Sequence, residues 1–174
     1  MAAATRLFRE QGMVATQMEA VAAAAPVSKR TLYKHFADKS ALIDAYLQER
    51  DRRMFGEQLG SEDNARGQIL ELFAPSGTGP FIATCPFIAA STEFPEPDSD
   101  PHRAATRHKQ AFERRLQRLA ANAGVKDSQR VGSLISLLYD GAISRSQALN
   151  DPRPLTEARR HVADLLGDQR TDFS

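Results

Sequence analysis

With 174 residues, the chain has room for one domain, or for a small module followed by a modest second domain. Hydrophobic residues make up 41% and charged residues 26%, while Trp is absent, aromatics are 7%, and long alanine- and arginine-rich tracts favour helices over sheets. The formal charge is only +1; no run of about 18 apolar residues exists to cross a membrane, the N-terminus lacks a signal-peptide stretch and the one Cys cannot form an internal disulfide, so a cytoplasmic location is expected.

In chain order, Ala3, Ala4, Leu7 and Phe8 form a short apolar stripe at helical spacing that ends at Gly12. Thr16 followed by Glu19 has the form of a capping box, so a second helix is expected to start at Thr16, its apolar positions Met18, Val21, Ala22 and Ala25 recurring every three or four residues until Pro26 stops it. Only Pro26 and Val27 then precede Ser28, which can cap a third helix through Leu32, Tyr33 and Phe36. Two helices joined by so short a turn cross steeply, and the methyl groups of Ala22 to Ala25 suit a close crossing. Asp38 can begin a fourth helix, with Leu42, Ile43, Tyr46, Leu47, Arg50 and Met54 continuing its period to about Leu59.

Beyond Gly60, Ala65 to Phe73 is a short helix, 75–80 a Pro- and Gly-containing loop, and Phe81 to Phe94 an apolar helix followed by a proline-punctuated stretch from Pro95 to Pro101. Ala104, His108, Ala111, Phe112, Leu116, Leu119 and Ala123 mark a long helix ending at Gly124. Val131, Leu134, Ile135, Leu138, Ala142 and Leu149 mark another, and Leu155, Ala158, Val162, Leu165 and Leu166 the last, before a tail that reads as frayed. The expected fold is all-α with about nine helices: a three-helix N-terminal helix-turn-helix domain, residues 1–47, joined by a long fourth helix to a helical domain, residues 48–174.

Function is concentrated in the third helix. From Val27 to Lys39 four basic residues (Lys29, Arg30, Lys34, Lys39) stand against one acid (Asp38), a net +3 on a nearly neutral chain. If Val27, Leu32 and Phe36 face the core, the opposite arc presents Lys29, Arg30, Tyr33, Lys34 and His35 to a DNA groove about 12 Å wide. Ser28 and Thr31 then reach phosphates, Tyr33 suits a phosphate or a thymine methyl, and Thr16 at a helix start and Lys39 at the next are further phosphate contacts.

The pattern Leu7-Phe8-x-x-x-Gly12, then Thr16-x-x-x-x-Val21-Ala22-x-x-Ala25-x-Val27-Ser28-Lys29-x-Thr31-Leu32-Tyr33-x-His35-Phe36-x-x-Lys39-x-x-Leu42 resembles the signature of the TetR/AcrR, tetracycline-repressor-like, family of transcriptional regulators, over roughly residues 2 to 47. The resemblance implies phosphate contacts at Thr16, Tyr33 and Lys39, a groove position for Ser28 to Lys34, and a backbone contact for His35. Two features depart from the family pattern. Pro26 stands where the turn usually carries glycine, which excludes a left-handed turn there. The chain also starts only a few residues before Leu7, so the minor-groove contacts of a basic arm are missing or the start lies upstream.

One reading helix makes too few contacts for tight specific binding, so a homodimer on an inverted-repeat operator is expected. The apolar sides of the last two helices supply its interface through Leu134, Leu138, Gly141, Ala142, Ala158, Val162 and Leu165, with Gly132 and Ser146 also allowing close approach. The resemblance further implies a small-molecule effector in the second domain that releases the DNA; Phe73, Phe81, Phe87, Ile88, Phe94, His108 and Phe112 are the pocket residues. Cys85, with no basic neighbour, reads as a small buried hydrophobe rather than a sensor. No phosphate-binding Gly loop, nucleophile elbow or Cys pair is present, so neither catalytic nor metal residues are assigned, no cofactor is expected, and the chain is not read as an enzyme. The alternatives are a transcriptional activator on the same scaffold and a helical interaction protein that has lost operator binding.

Overall fold

A computed structural model describes residues 1–61, 63–74 and 85–167, and the fold is all-α. The described helices are α1 (Ala2–Gln11), α2 (Met18–Ala24), α3 (Lys29–His35), α4 (Lys39–Arg52), α5 (Ala65–Glu71), α6 (Pro86–Glu93), α7 (Asp100–Asn122), α8 (Ser128–Leu149) and α9 (Arg153–Leu165), with a π-helical turn, Arg53–Gln58, directly after α4. The expected loop 75–80 and the tail after Gly167 lie outside the described residues, as does Phe81, so the expected helix over 81–94 is described only as α6.

The chain divides into two compact units. The first comprises 1–53 and 86–109: α1 to α4, α6 and the first part of α7. Its core is built where helices present residues three and four apart: Leu7 and Phe8 of α1, Met18 and Val21 of α2, Leu32 of α3, and Leu42, Ile43, Tyr46 and Leu47 of α4 are all buried. Phe8 meets the edge of the Tyr46 ring, with centroids 5.2 Å apart. Met13, in the turn between α1 and α2, is also fully buried.

Chain punctuation follows local chemistry. Gly12 ends α1 at φ 86, a conformation only glycine adopts without strain. The Asp38 carboxylate accepts from the Ala41 N–H at 2.8 Å and so starts α4, as expected. In α7, Pro101 occupies the first turn, where its missing N–H costs nothing, and helix therefore begins inside the segment that its prolines suggested was irregular.

The second unit comprises 54–85 and 110–174, and among its described residues the core joins Leu59, Ile69, Phe73, Phe112, Leu116, Leu119, Ile135 and Val162. Gly132 of α8 lies against α7 so closely that a Cβ there would come 2.5 Å from the Gln117 backbone, so this glycine serves contact within the chain rather than between copies. Asn150, left-handed at φ 49, closes α8, and Pro152 follows before α9. Arg115 is buried, its guanidinium donating to the carbonyls of Leu59 and Ser61, both at 2.7 Å, which fixes the chain beyond the π-helical turn.

Candidate nucleic-acid interface

The turn between α2 and α3 bends without any left-handed residue: Ala25 is extended at φ −96, ψ 150, and leads into Pro26. The conformation that proline forbids is therefore not used, and the turn is instead made from extended backbone that suits Ala25 as the residue preceding a proline. Ser28 then caps α3, its hydroxyl oxygen accepting from the Thr31 N–H at 3.1 Å while the two hydroxyls lie 2.9 Å apart. Leu32 anchors α3 to the core, and Thr31 and Phe36 are half-buried beside it. Lys29, Arg30, Tyr33, Lys34 and His35 are exposed, so one helical face is packed and the other carries the charge.

The exposed charge is not evenly available. Lys29 pairs with Glu19 of α2 at 2.8 Å. The Lys29 hydrogen bond holds the Glu19 carboxyl below its ordinary range, and Glu19 in turn raises Lys29 above the usual ammonium range. This partner also removes the discomfort of a cation in the first turn of a helix. Arg30 and Lys34, four residues apart on one face, have no acidic partner among the described residues and carry the unpaired positive charge of α3. Lys39 is half-buried and donates from Nζ to the Val14 carbonyl. The N–H of the same Val14 donates to Glu93 Oε2 at 2.7 Å, so the turn between α1 and α2 is held from α4 and from α6.

Several expectations are corrected by this geometry. The capping box at Thr16 does not form: α2 begins at Met18 after Gln17, without a side-chain cap, and Glu19 is engaged with Lys29. Thr16 is 1% exposed, and its hydroxyl donates to the Gly12 carbonyl at 2.7 Å. Its hydroxyl is thus spent inside the fold and faces no phosphate. Val27 is not core but 43% exposed at the start of α3, because the extended turn carries it past the helix crossing. Of the four alanines, Ala22 and Ala25 are half-buried, whereas Ala23 and Ala24 are exposed; the crossing needs only every third residue.

The proposed pocket residues fall in different units. Phe73 and Phe112 are fully buried in the second unit, both against Tyr139, with centroids 5.6 and 5.2 Å away. Phe87, Ile88, Phe94 and His108 belong to the first, where His108 is buried, places Nδ1 2.6 Å from Asp51 and stacks on Phe87 at 3.5 Å. Phe81 lies outside the described residues. Of the interface residues, Leu134 is 37% exposed, Gly141 is exposed with open space where a Cβ would lie, and Leu138 and Leu165 are half-buried. Ala142 and Ala158 are buried, and Val162 is fully buried in the chain's own core, so it faces no second copy. Leu137, 70% exposed and three residues after Leu134 on the same helix, was not singled out by the sequence although it falls at the same helical spacing.

Residues 1–46 match the family model described as bacterial regulatory proteins, tetR family. The chain is similar to SCO4454, a TetR-family transcriptional regulator from Streptomyces coelicolor, at 30% identity and a TM-score of 0.82, covering 96% of this chain and 86% of that one. It is also 28% identical to the HTH-type transcriptional regulator YjdC of Escherichia coli, over 94% of this chain and 89% of the relative. The fold alone is shared with the regulatory protein TetR from Rhodobacter sphaeroides, at 18% identity and a TM-score of 0.78, over 94% and 95% of the two chains.

Proposed function

The chain belongs to the TetR family of transcriptional regulators, and from that premise we propose that it is a homodimeric repressor that binds an inverted-repeat operator through α3 and is released by a small-molecule effector. The observation that carries this reading is the division of α3 into a face anchored by Leu32 and a face on which Arg30 and Lys34 stand unpaired around Tyr33. Such a face offers two phosphate or base-edge donors and an aromatic hydroxyl to a major groove. Ser28, Lys29, Thr31, His35 and the exposed Val27 flank it, with Val27 suited to a thymine methyl. Thr16 and Lys39 act behind this face by fixing the turn between α1 and α2, each through a backbone carbonyl. The reading module is residues 1–47, and residues 48–174 carry the dimer and effector functions.

Dimerisation is proposed on the outer side of α8 and α9, where Leu134, Leu137, Leu138, Gly141, Ala142 and Ala158 line an open, mainly apolar groove of about 340 Å³. Unpaired Leu side chains beside a bare glycine are suited to a second copy of the same surface. The effector is inferred from family membership, and because Phe87, Ile88, Phe94 and His108 lie in the first unit while Phe73 and Phe112 fill the core of the second, the expected residues are not assigned to one cavity.

Genome-wide mapping of bound DNA, followed by salt-titrated binding to the recovered fragments, tests the reading. An inverted repeat bound with a steep salt dependence is the expected result. Binding to no duplex above the level of a random sequence would sink it.

A further inference from the structure

We propose that Glu93 is a positioning residue for DNA binding, holding the turn between α1 and α2, and with it the start of α2, in the orientation that α3 needs at the groove. The inference rests on the DNA-binding role proposed above. Val14 lies in that turn, where peptide groups ordinarily turn to water. Here both are taken by charged side chains of the matching sign, the N–H by the Glu93 carboxylate at 2.7 Å and the carbonyl by the Lys39 ammonium. The first is at the short, charge-assisted end of the range.

Two neighbouring facts fit the carboxylate to this place. Gly12 has φ +86, and a Cβ built on it would come 3.0 Å from Glu93 Oε2, so the carboxylate lies against a surface that glycine leaves bare. Glu93 is also the last residue of α6, an end where the helix dipole disfavours negative charge, so its placement is not explained by the helix that carries it. The turn leads through Thr16, which is itself tied to Gly12, into α2 and then through the extended Ala25 and Pro26 into α3. Both connections are short, residues 12–17 between α1 and α2 and 25–28 between α2 and α3. Loss of the Glu93 acceptor therefore displaces α3 relative to the rest of its unit.

The full-length protein is compared with Glu93→Ala and Glu93→Asp, the latter keeping the charge but withdrawing it by one methylene. Binding is measured by fluorescence polarisation on an operator fragment selected in vitro with the wild type and on a scrambled duplex of equal length. Hydrogen exchange at the Val14 amide is followed by NMR. Glu93→Ala is expected to weaken operator binding about tenfold, the scale of one charge-assisted hydrogen bond, with binding to the scrambled duplex unchanged and faster Val14 exchange. Glu93→Asp should follow in the same direction and decides the matter if Glu93→Ala fails to fold. Operator preference retained while Val14 protection is lost, preference lost while protection is kept, or no change in either, would overturn the proposal. A wild type without preference for any duplex would instead remove the DNA-binding reading itself.

Discussion

Among the described residues, Arg30 and Lys34 stand on α3 without acidic partners, while Lys29, one position from Arg30, is tied to Glu19. Three cations that look equivalent in the sequence are therefore unequal as phosphate contacts. Arg30→Ala and Lys34→Ala should each weaken DNA binding and lower the slope of log K against log salt by about 0.9, the signature of one lost phosphate neutralisation. Lys29→Ala should cost less, because the bond to Glu19 must be given up before Lys29 can reach DNA. The converse change, Glu19→Gln, removes both the competitor and a negative charge from this face, and is expected to strengthen binding and steepen the same slope. The pair's pH dependence has a definite sign. Glu19 titrates below its ordinary range in the fold, chiefly through the Lys29 hydrogen bond, so the pair is intact at neutral pH and is lost only as the pH falls through that depressed value. Binding of wild type and Glu19→Gln should thus converge at acid pH and differ at neutral pH, read by polarisation across a pH series.

Among the elements, α3 is the most exposed to single changes, being seven residues long and anchored to the core chiefly by Leu32. Its N-cap is separable from its DNA face. Ser28→Ala should lower stability by about 1 kcal/mol, measured from the urea midpoint, whereas Ser28→Asp keeps a capping oxygen but adds a negative charge toward the groove. That variant is expected to retain its stability and lose DNA affinity. The caps at Ser28 and Asp38, the stop at Pro26 and the burial of Leu7, Phe8, Val21 and Leu42 were legible in the sequence because each depends on residues within one or two turns. The capping box at Thr16 has an equally local pattern but does not form, because α2 starts at Met18 and Glu19 is held by Lys29 of the next helix. Glu93, and the bond that Lys39 makes, could not be found that way: the contacts with Val14 span 79 and 25 residues and leave no periodic trace. The same limit applied to the pocket aromatics, since spacing along a helix identifies a buried stripe but not which of its residues line a cavity and which fill a core.

For the molecule as a whole, the open question is which apolar residues stabilise the chain and which await a second copy, and burial separates them. Val162 is 0% exposed and belongs to the core with Ile69, Phe73 and Ile135, whereas Leu137 is 70% exposed on the outer side of α8. A charge introduced at Val162 would be buried without a partner, and Val162→Asp should unfold the second unit rather than produce a folded monomer. A charge at Leu137 meets solvent in the single chain but, in the proposed dimer, its own image across the two-fold axis. Leu137→Glu is therefore expected to give a folded monomer by sedimentation, with unchanged helical circular dichroism and with operator binding reduced far more than binding to random duplex, because one reading helix retains the phosphate contacts of a half-site but loses the paired register. A Leu137→Glu protein that sediments as wild type would move the interface off this face of α8, and a monomeric variant that keeps full operator affinity would show that two copies are not what makes the binding specific.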